Sequence, residues 1–124
     1  MTTPAVIAEF DRLVGEADAL IDDLERDREP EFEAVLAHVL SHPAERAAFA
    51  RKFMEMLRSS MDSDLFEFCM HELRWPEVQS QVEAAMQEAA NKGDHRLQFG
   101  LGSVLPAFRD DWLDGRGGGY KRFA

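Results

Sequence analysis

The spacing of apolar residues in the first quarter of the chain constrains its fold more than any other feature. From Pro4 to Arg28, apolar side chains recur every three or four residues, at Val6, Phe10, Leu13, Val14, Ala17, Leu20, Ile21 and Leu24. At about 100° per residue, this set occupies an arc of roughly 140° on an α-helix. The spacing therefore predicts a first helix from Pro4 to about Arg28 that packs on a core along one side.

The opposite side of this predicted helix is acidic. Its carboxylates are those of Glu9, Asp11, Glu16, Asp18, Asp22, Asp23 and Glu25, and Glu29, Glu31 and Glu33 continue the run. Residues 9–33 contain 11 acidic and 3 basic residues, which gives this segment a net charge of −8. The first helix is thus expected to present a row of carboxylates to water or to a partner.

Proline and glycine divide the rest of the chain into further helices. Pro30, Pro43 and Pro76 stand where a first-turn proline begins a helix. A break is expected at residues 59–62. Farther along, Gly93 suits the left-handed residue that ends a helix, and the following Asp94 suits the N-cap of the next one.

Pro106 interrupts the last predicted helix, because a mid-helix proline removes one hydrogen bond and clashes with the preceding turn. The pattern favours a kink or break around residues 101–103. The alternative is that Ser103 caps a new helix and Pro106 lies in its first turn, where amides lack intrahelical partners.

These patterns predict an all-α fold of five or six antiparallel helices, because no segment shows the alternation with period two that is typical of a strand. A compact bundle satisfies this pattern. The short turns at Pro43 and at Pro76 each join two consecutive predicted helices, and they are similar to the turns of HEAT-like repeats. That resemblance implies a short stack of helical hairpins instead. The expected core includes Phe10, Leu20, Leu36, Phe53, Phe66, Leu73, Leu101 and Phe108.

Residues 1–114 are expected to form a single helical domain. The segment 115–124 is rich in glycine and basic residues, and we expect it to be a flexible tail. Its two rings, Tyr120 and Phe123, are candidates for docking onto the domain. Cys69 is the single cysteine, so no intrachain disulfide can form.

Charge limits the classes of partner. The chain has 24 acidic and 14 basic residues, for a net charge of −10. This balance argues against nucleic-acid binding, which needs clustered Lys and Arg, and against an anionic membrane surface. It is compatible with a basic protein partner.

Neither a secretory signal nor an apolar stretch of about 20 residues is recognisable, so we expect a cytoplasmic protein.

The residues that could carry chemistry have unfavourable spacing. His38 and His42 are four apart with Glu45 three further on, but Pro43 is expected to end the helix between these ligands of a metal. Cys69 and His71 are two apart, so they point in different directions on a helix. Cys69 is expected on the apolar stripe and His71 on the polar face. We therefore predict no catalytic residue, no metal ligand and no cofactor.

Three aromatic residues lie outside this scheme. Trp75 and Trp112 follow apolar helical faces and are expected to seal the core. Phe99 lies opposite the apolar arc of the last helix, so it is either covered by a second layer or an exposed anchor. The neighbouring Gly100 and Gly102 would permit close approach of another backbone.

The leading functional hypothesis is a non-enzymatic, acidic protein-interaction module, for example an inhibitor or immunity-type protein that masks a basic partner. Its expected partner-binding residues are Asp11, Glu16, Asp18, Asp22, Asp23, Glu25 and Glu29. One alternative is a small-molecule-binding or metal-dependent helical enzyme, in which His38, His42, Glu45, His71 and Glu72 converge. The other is a structural homo-oligomer, such as a homodimer, that pairs through the first helix.

Overall fold

A computed structural model describes residues 4–20, 27–59, 63–112 and 120–123 of the chain. Over these residues there are six α-helices: α1 (Pro4–Asp18), α2 (Glu29–Ser41), α3 (Arg46–Arg58), α4 (Ser63–Leu73), α5 (Pro76–Asn91) and α6 (His95–Val104). Short 3₁₀-helices cover Pro43–Glu45, Leu105–Phe108 and Lys121–Phe123. The described residues contain no strand, and the predicted all-α fold is confirmed. None of these helices is both long and apolar enough to cross a membrane.

The chain divides into two compact units, residues 1–65 and residues 66–124, with the division inside α4. In the first unit, α1 packs against α2. The ring of Phe10 in α1 lies 5.3 Å from that of Phe49 and 5.5 Å from that of Phe53, both in α3. All three rings are buried, so the apolar side predicted for the first helix does face a core. The single domain expected for residues 1–114 stays a prediction.

The first helix is shorter than predicted. It ends at Asp18 and is followed by a turn at residues 19–20, and Arg28 is not helical. Carboxylates crowd the sequence after Asp18, and negative charge at a helix C-terminus opposes the macrodipole. The Arg28 guanidinium instead donates to the carbonyl oxygen of Ala17 at 3.0 Å, which places a cation where the dipole favours it.

The second and third helices follow their predicted boundaries. Pro30 lies in the first turn of α2, and α2 ends at Ser41, just before His42 and Pro43. The third helix begins at Pro43 as a 3₁₀ turn before it becomes α-helical. Leu40 lies outside the core, because it is 52% exposed. The core face of α2 consists of Phe32, Val35, Leu36 and Val39.

In the second unit, α5 and α6 form a hairpin. They pack against each other and are joined by residues 92–94. Gly93 has a φ of 73°, in the left-handed region, and Asp94 caps α6 by accepting a hydrogen bond from the backbone N–H of Leu97 at 3.1 Å. Both predictions for this turn are confirmed.

The break near Pro106 occurs slightly later than predicted. α6 ends at Val104, and Pro106 lies in the first turn of the 3₁₀-helix that follows. Pro106 therefore occupies a first turn, as the alternative interpretation proposed. Ser103 is not the cap, because the residue before this 3₁₀-helix is Val104; the Ser103 hydroxyl donates to the carbonyl oxygen of Gly100 at 2.7 Å.

The prediction that His71 lies on a polar face is wrong, because its side chain is buried, with a residue exposure of 4%. Its Nδ1 donates to the carbonyl oxygen of Ala107 at 2.7 Å, since a carbonyl can only accept. Its ring lies 4.9 Å from that of Trp112 and 4.7 Å from that of Phe123. Segments distant in sequence thus cover the side of α4 that its own pattern left polar.

The end of the chain contributes to the same aromatic cluster. The rings of Tyr120 and Phe123 lie 5.1 Å and 5.2 Å from that of Phe68, which is buried. Residues 120–123 therefore dock by their rings, whereas residues 115–119 of the expected tail lie outside the described part of the chain.

Trp75 and Trp112 are both buried, as predicted. Of the predicted core residues, Leu20 and Leu73 are half-buried, and those buried are Phe10, Leu36, Phe53, Phe66, Leu101 and Phe108.

Candidate functional site

The outward side of α1 carries the carboxylates that the structure brings together. The side chains of Asp11 and Glu16 are 52% and 54% exposed. Glu9 shares this side and is partly exposed. We call Glu9, Asp11 and Glu16 the acidic face. It exists because the apolar residues of the same helix, Phe10, Val14 and Ala17, are buried on the other side.

Two basic side chains, those of Arg12 and Lys52, contact the acidic face. Arg12 donates from Nε to both carboxylate oxygens of Glu9 at 3.1 Å, and its guanidinium also pairs with Glu16. The Nζ of Lys52, from α3, lies 3.2 Å from Asp11. The hydrogen bond from Arg12 holds the pKa of Glu9 below its ordinary value, and the same hydrogen bond raises the pKa of Arg12. These contacts orient the carboxylates and offset part of their charge.

None of the other predicted partner-binding residues is part of the acidic face that the structure describes. Asp18 is half-buried. Glu29, which was expected on the acidic surface, is buried at the start of α2, where the helix dipole favours a carboxylate. The sequence pattern did not predict this burial, although the position just before Pro30 marks a first turn. The predicted residues Asp22, Asp23 and Glu25 lie outside the described part of the chain, as do Ile21 and Leu24 of the apolar set.

His38, in α2, and His42, the residue that follows this helix, both contact backbone carbonyls. The Nε2 of His38 lies 2.8 Å from the carbonyl oxygen of Val6 and links α2 to α1. The Nδ1 of His42 lies 2.9 Å from the carbonyl oxygen of His38, within the last turn of α2. Glu45 is buried. Among residues 4–20, 27–59, 63–112 and 120–123, no three His, Cys, Asp or Glu side chains are grouped as metal ligands.

The candidate residues of the second unit also have structural contacts. His71 donates to Ala107 as described, and Glu72 accepts from Arg122 at 2.8 Å. Cys69 is fully buried, as its place on the apolar stripe predicted. A buried cysteine in such a setting behaves as a small apolar side chain.

A groove on the α5–α6 hairpin is a second feature with a binding shape. Its volume is about 490 Å³, and its lining consists of Met86, His95, Gln98, Phe99, Gly102 and Ser103. Phe99 is 81% exposed, so no second layer among the described residues covers it, and its role as an anchor stays a prediction. The signal that marked it was its position opposite the apolar arc of α6.

Comparison with known proteins gives no match to any protein-family model, to any curated protein or to any solved structure.

Proposed function

We propose that this chain is a non-enzymatic protein-interaction module that binds a basic protein through the acidic face of α1. One observation carries the proposal. Residues 9–33 have a net charge of −8, and within them α1 buries its apolar side and directs Asp11 and Glu16 outward. The concrete form is an inhibitor or immunity-type protein that covers the cationic site of its partner.

The electrostatics of this face suit rapid association. Opposite fields accelerate encounter, and the acceleration falls as salt screens exposed charges. The side chains of Arg12 and Lys52 do not block such an encounter, because an exposed ion pair contributes only about 0–1 kcal/mol. An arginine of the partner can therefore replace Arg12 or Lys52 on a carboxylate at small cost, and it meets side chains that are already oriented.

The placement of the candidate catalytic residues supports a binding role over the enzymatic alternative. His38, His42 and His71 each bind a backbone carbonyl. These imidazoles hold helices and connecting segments in place. The apolar spacing of α1 is likewise used within the chain, since Phe10 packs on Phe49 and Phe53, and this weakens the case for a homodimer through the first helix.

The proposal is tested with a fluorescent peptide of alternating lysine and alanine as the basic probe. Binding is measured by anisotropy, and the on-rate by stopped flow, from about 20 mM to about 200 mM salt. We expect the double substitution Asp11→Asn with Glu16→Gln to weaken binding severalfold at low salt. We also expect the on-rate of the unmodified chain to fall steeply as salt is added.

The matched control removes two carboxylates from another exposed helix. Glu83→Gln with Glu88→Gln changes the net charge equally, and Glu88 has an i,i+4 ion pair with Lys92 that resembles the pair of Glu16 with Arg12. An equal loss of binding in both double variants would show that only the total charge matters. That result, or an on-rate independent of salt, contradicts the proposed face.

A further inference from the structure

Phe99 is the most exposed large apolar side chain among the described residues. It projects from α6 beside the groove of about 490 Å³ that it helps to line with Met86 and Gly102. Leu97 on the same helix is also exposed. One surface thus carries both a protruding aromatic ring and a depression next to it.

The charge of this surface differs from that of the rest of the molecule. Residues 95–109 form the longest run in the sequence without an aspartate or glutamate, in a chain of net charge −10. Of the six groove-lining residues, only His95 has an ionisable side chain. Two copies of an acidic protein repel one another over most of their surfaces, and that repulsion is weaker on a face whose helix carries no carboxylate.

We propose that a second copy of this chain docks on this face, with the two α6 helices antiparallel across a twofold axis. Phe99 of each copy enters the groove of the other. A twofold interface uses the same patch on both copies, so the patch must complement itself. A ring and a groove side by side on one helix meet that requirement.

Charge and backbone geometry favour the antiparallel arrangement. It opposes the dipoles of the two α6 helices, so the N-terminal end of each, with the capping Asp94 and with Arg96, lies beside the C-terminal end of the other. Nothing lies within 4 Å of the space above Gly100, so another backbone can approach there. At Gly102, a Cβ would lie 3.2 Å from the Sδ of Met86, so a side chain there would crowd the thioether that lines the groove.

The size of the patch predicts a weak dimer. A helix of ten residues is about 15 Å long. Contacts of this extent fall below the roughly 1,200 Å² that stable complexes bury. Added salt should strengthen this dimer, because it screens the repulsion between the two acidic copies. The complex proposed above with a basic partner should respond to salt in the opposite direction, so failure of one proposal is distinguishable from failure of the other.

Sedimentation velocity from about 10 µM to about 1 mM tests the dimer. We expect the unmodified chain to sediment faster as its concentration rises, and Phe99→Ser to raise the dissociation constant at least tenfold. The control is Leu40→Ser, which removes another exposed apolar side chain, on α2, and should leave the dimer unchanged. A chain that is monomeric throughout this range, or a dimer that survives Phe99→Ser, overturns the proposal, as does equal loss in both variants.

A cross-link supplies a second readout that does not depend on removing an apolar side chain. Gly100→Cys should form a covalent dimer under mild oxidation, because residue 100 lies near the proposed axis. Ser80→Cys, at an exposed position on α5, is the control and should stay monomeric. Cys69 is fully buried and should not react in the folded chain. Equal cross-linking of both variants would mean random collision and would overturn the proposed geometry.

Discussion

His71 connects α4 to the segments that follow α6. It donates a hydrogen bond to Ala107, and its ring packs on Trp112 and Phe123. No local pattern in the sequence predicts this role, because Ala107, Trp112 and Phe123 all lie more than 30 positions from His71. The one local hint is Phe68, an apolar residue outside the stripe of α4, since a helix that is apolar on more than one side is buried.

We predict that His71→Ala destabilises the chain by about 2–4 kcal/mol. The substitution leaves the buried carbonyl of Ala107 without its donor and opens a cavity beside the rings of Trp112 and Phe123. Urea unfolding followed by circular dichroism measures the loss. His95→Ala is the control, because His95 is exposed, and it should change the free energy of unfolding by less than about 0.5 kcal/mol. Equal effects at the two positions would contradict the structural role of His71.

Arg12 controls the titration of Glu9. Its hydrogen bond holds the pKa of Glu9 below the ordinary value of 4.5, so folding favours the ionised carboxylate. This contribution to stability is therefore present above pH 4.5 and is lost as the pH falls through the lowered pKa. Glu9 is partly exposed and its pair with Arg12 lies at the surface, so the contribution is small.

We predict that Arg12→Gln raises the pKa of Glu9 towards its ordinary value, because the hydrogen bond and the positive charge are both removed. Titration of the Glu9 side-chain carboxyl by NMR measures the change. Arg96→Gln removes an exposed arginine from α6 and should leave the Glu9 titration where it was. An unchanged pKa in Arg12→Gln would show that the hydrogen bond is not formed in solution.

At the scale of single elements, two helix ends show what local rules can and cannot predict. The turn between α5 and α6 follows from Gly93 and Asp94 alone, and it forms as predicted. The end of α1 depends on Arg28, which reaches back 11 positions to the carbonyl of Ala17. Apolar spacing predicts which side of a helix is buried, but it contains no information about a capping group that another segment supplies.

Two glycines should respond to the same substitution with opposite signs. Gly93→Ala should destabilise the chain by about 1–2 kcal/mol, because a left-handed φ strains an L-residue. Gly15→Ala should stabilise it by about 0.5–1 kcal/mol, since Gly15 lies inside α1 and a Cβ there would meet nothing within 4 Å. Thermal unfolding of both variants measures the difference. Shifts of the same sign would contradict the backbone assigned to one of these positions.

For the whole molecule, the fold class was predictable and the arrangement of the candidate site was only partly so. The spacing of apolar residues and the positions of proline and glycine located the six α-helices of the described residues, because both are properties of consecutive residues. The acid surplus before Glu33 was visible as a count, but Lys52 pairing with Asp11 and the burial of Glu29 were not. Those placements depend on which helices pack together, and single-sequence patterns do not contain that information.

The burial of Cys69 equips the chain with its own indicator of opening. A thiol reagent in solution cannot reach this sulfur until α4 becomes accessible. The rate of alkylation would then measure how often this part of the protein exposes its interior, without a dye or an engineered label. A ligand or partner that stabilises the second unit would lower the rate of alkylation, wherever on this unit it binds.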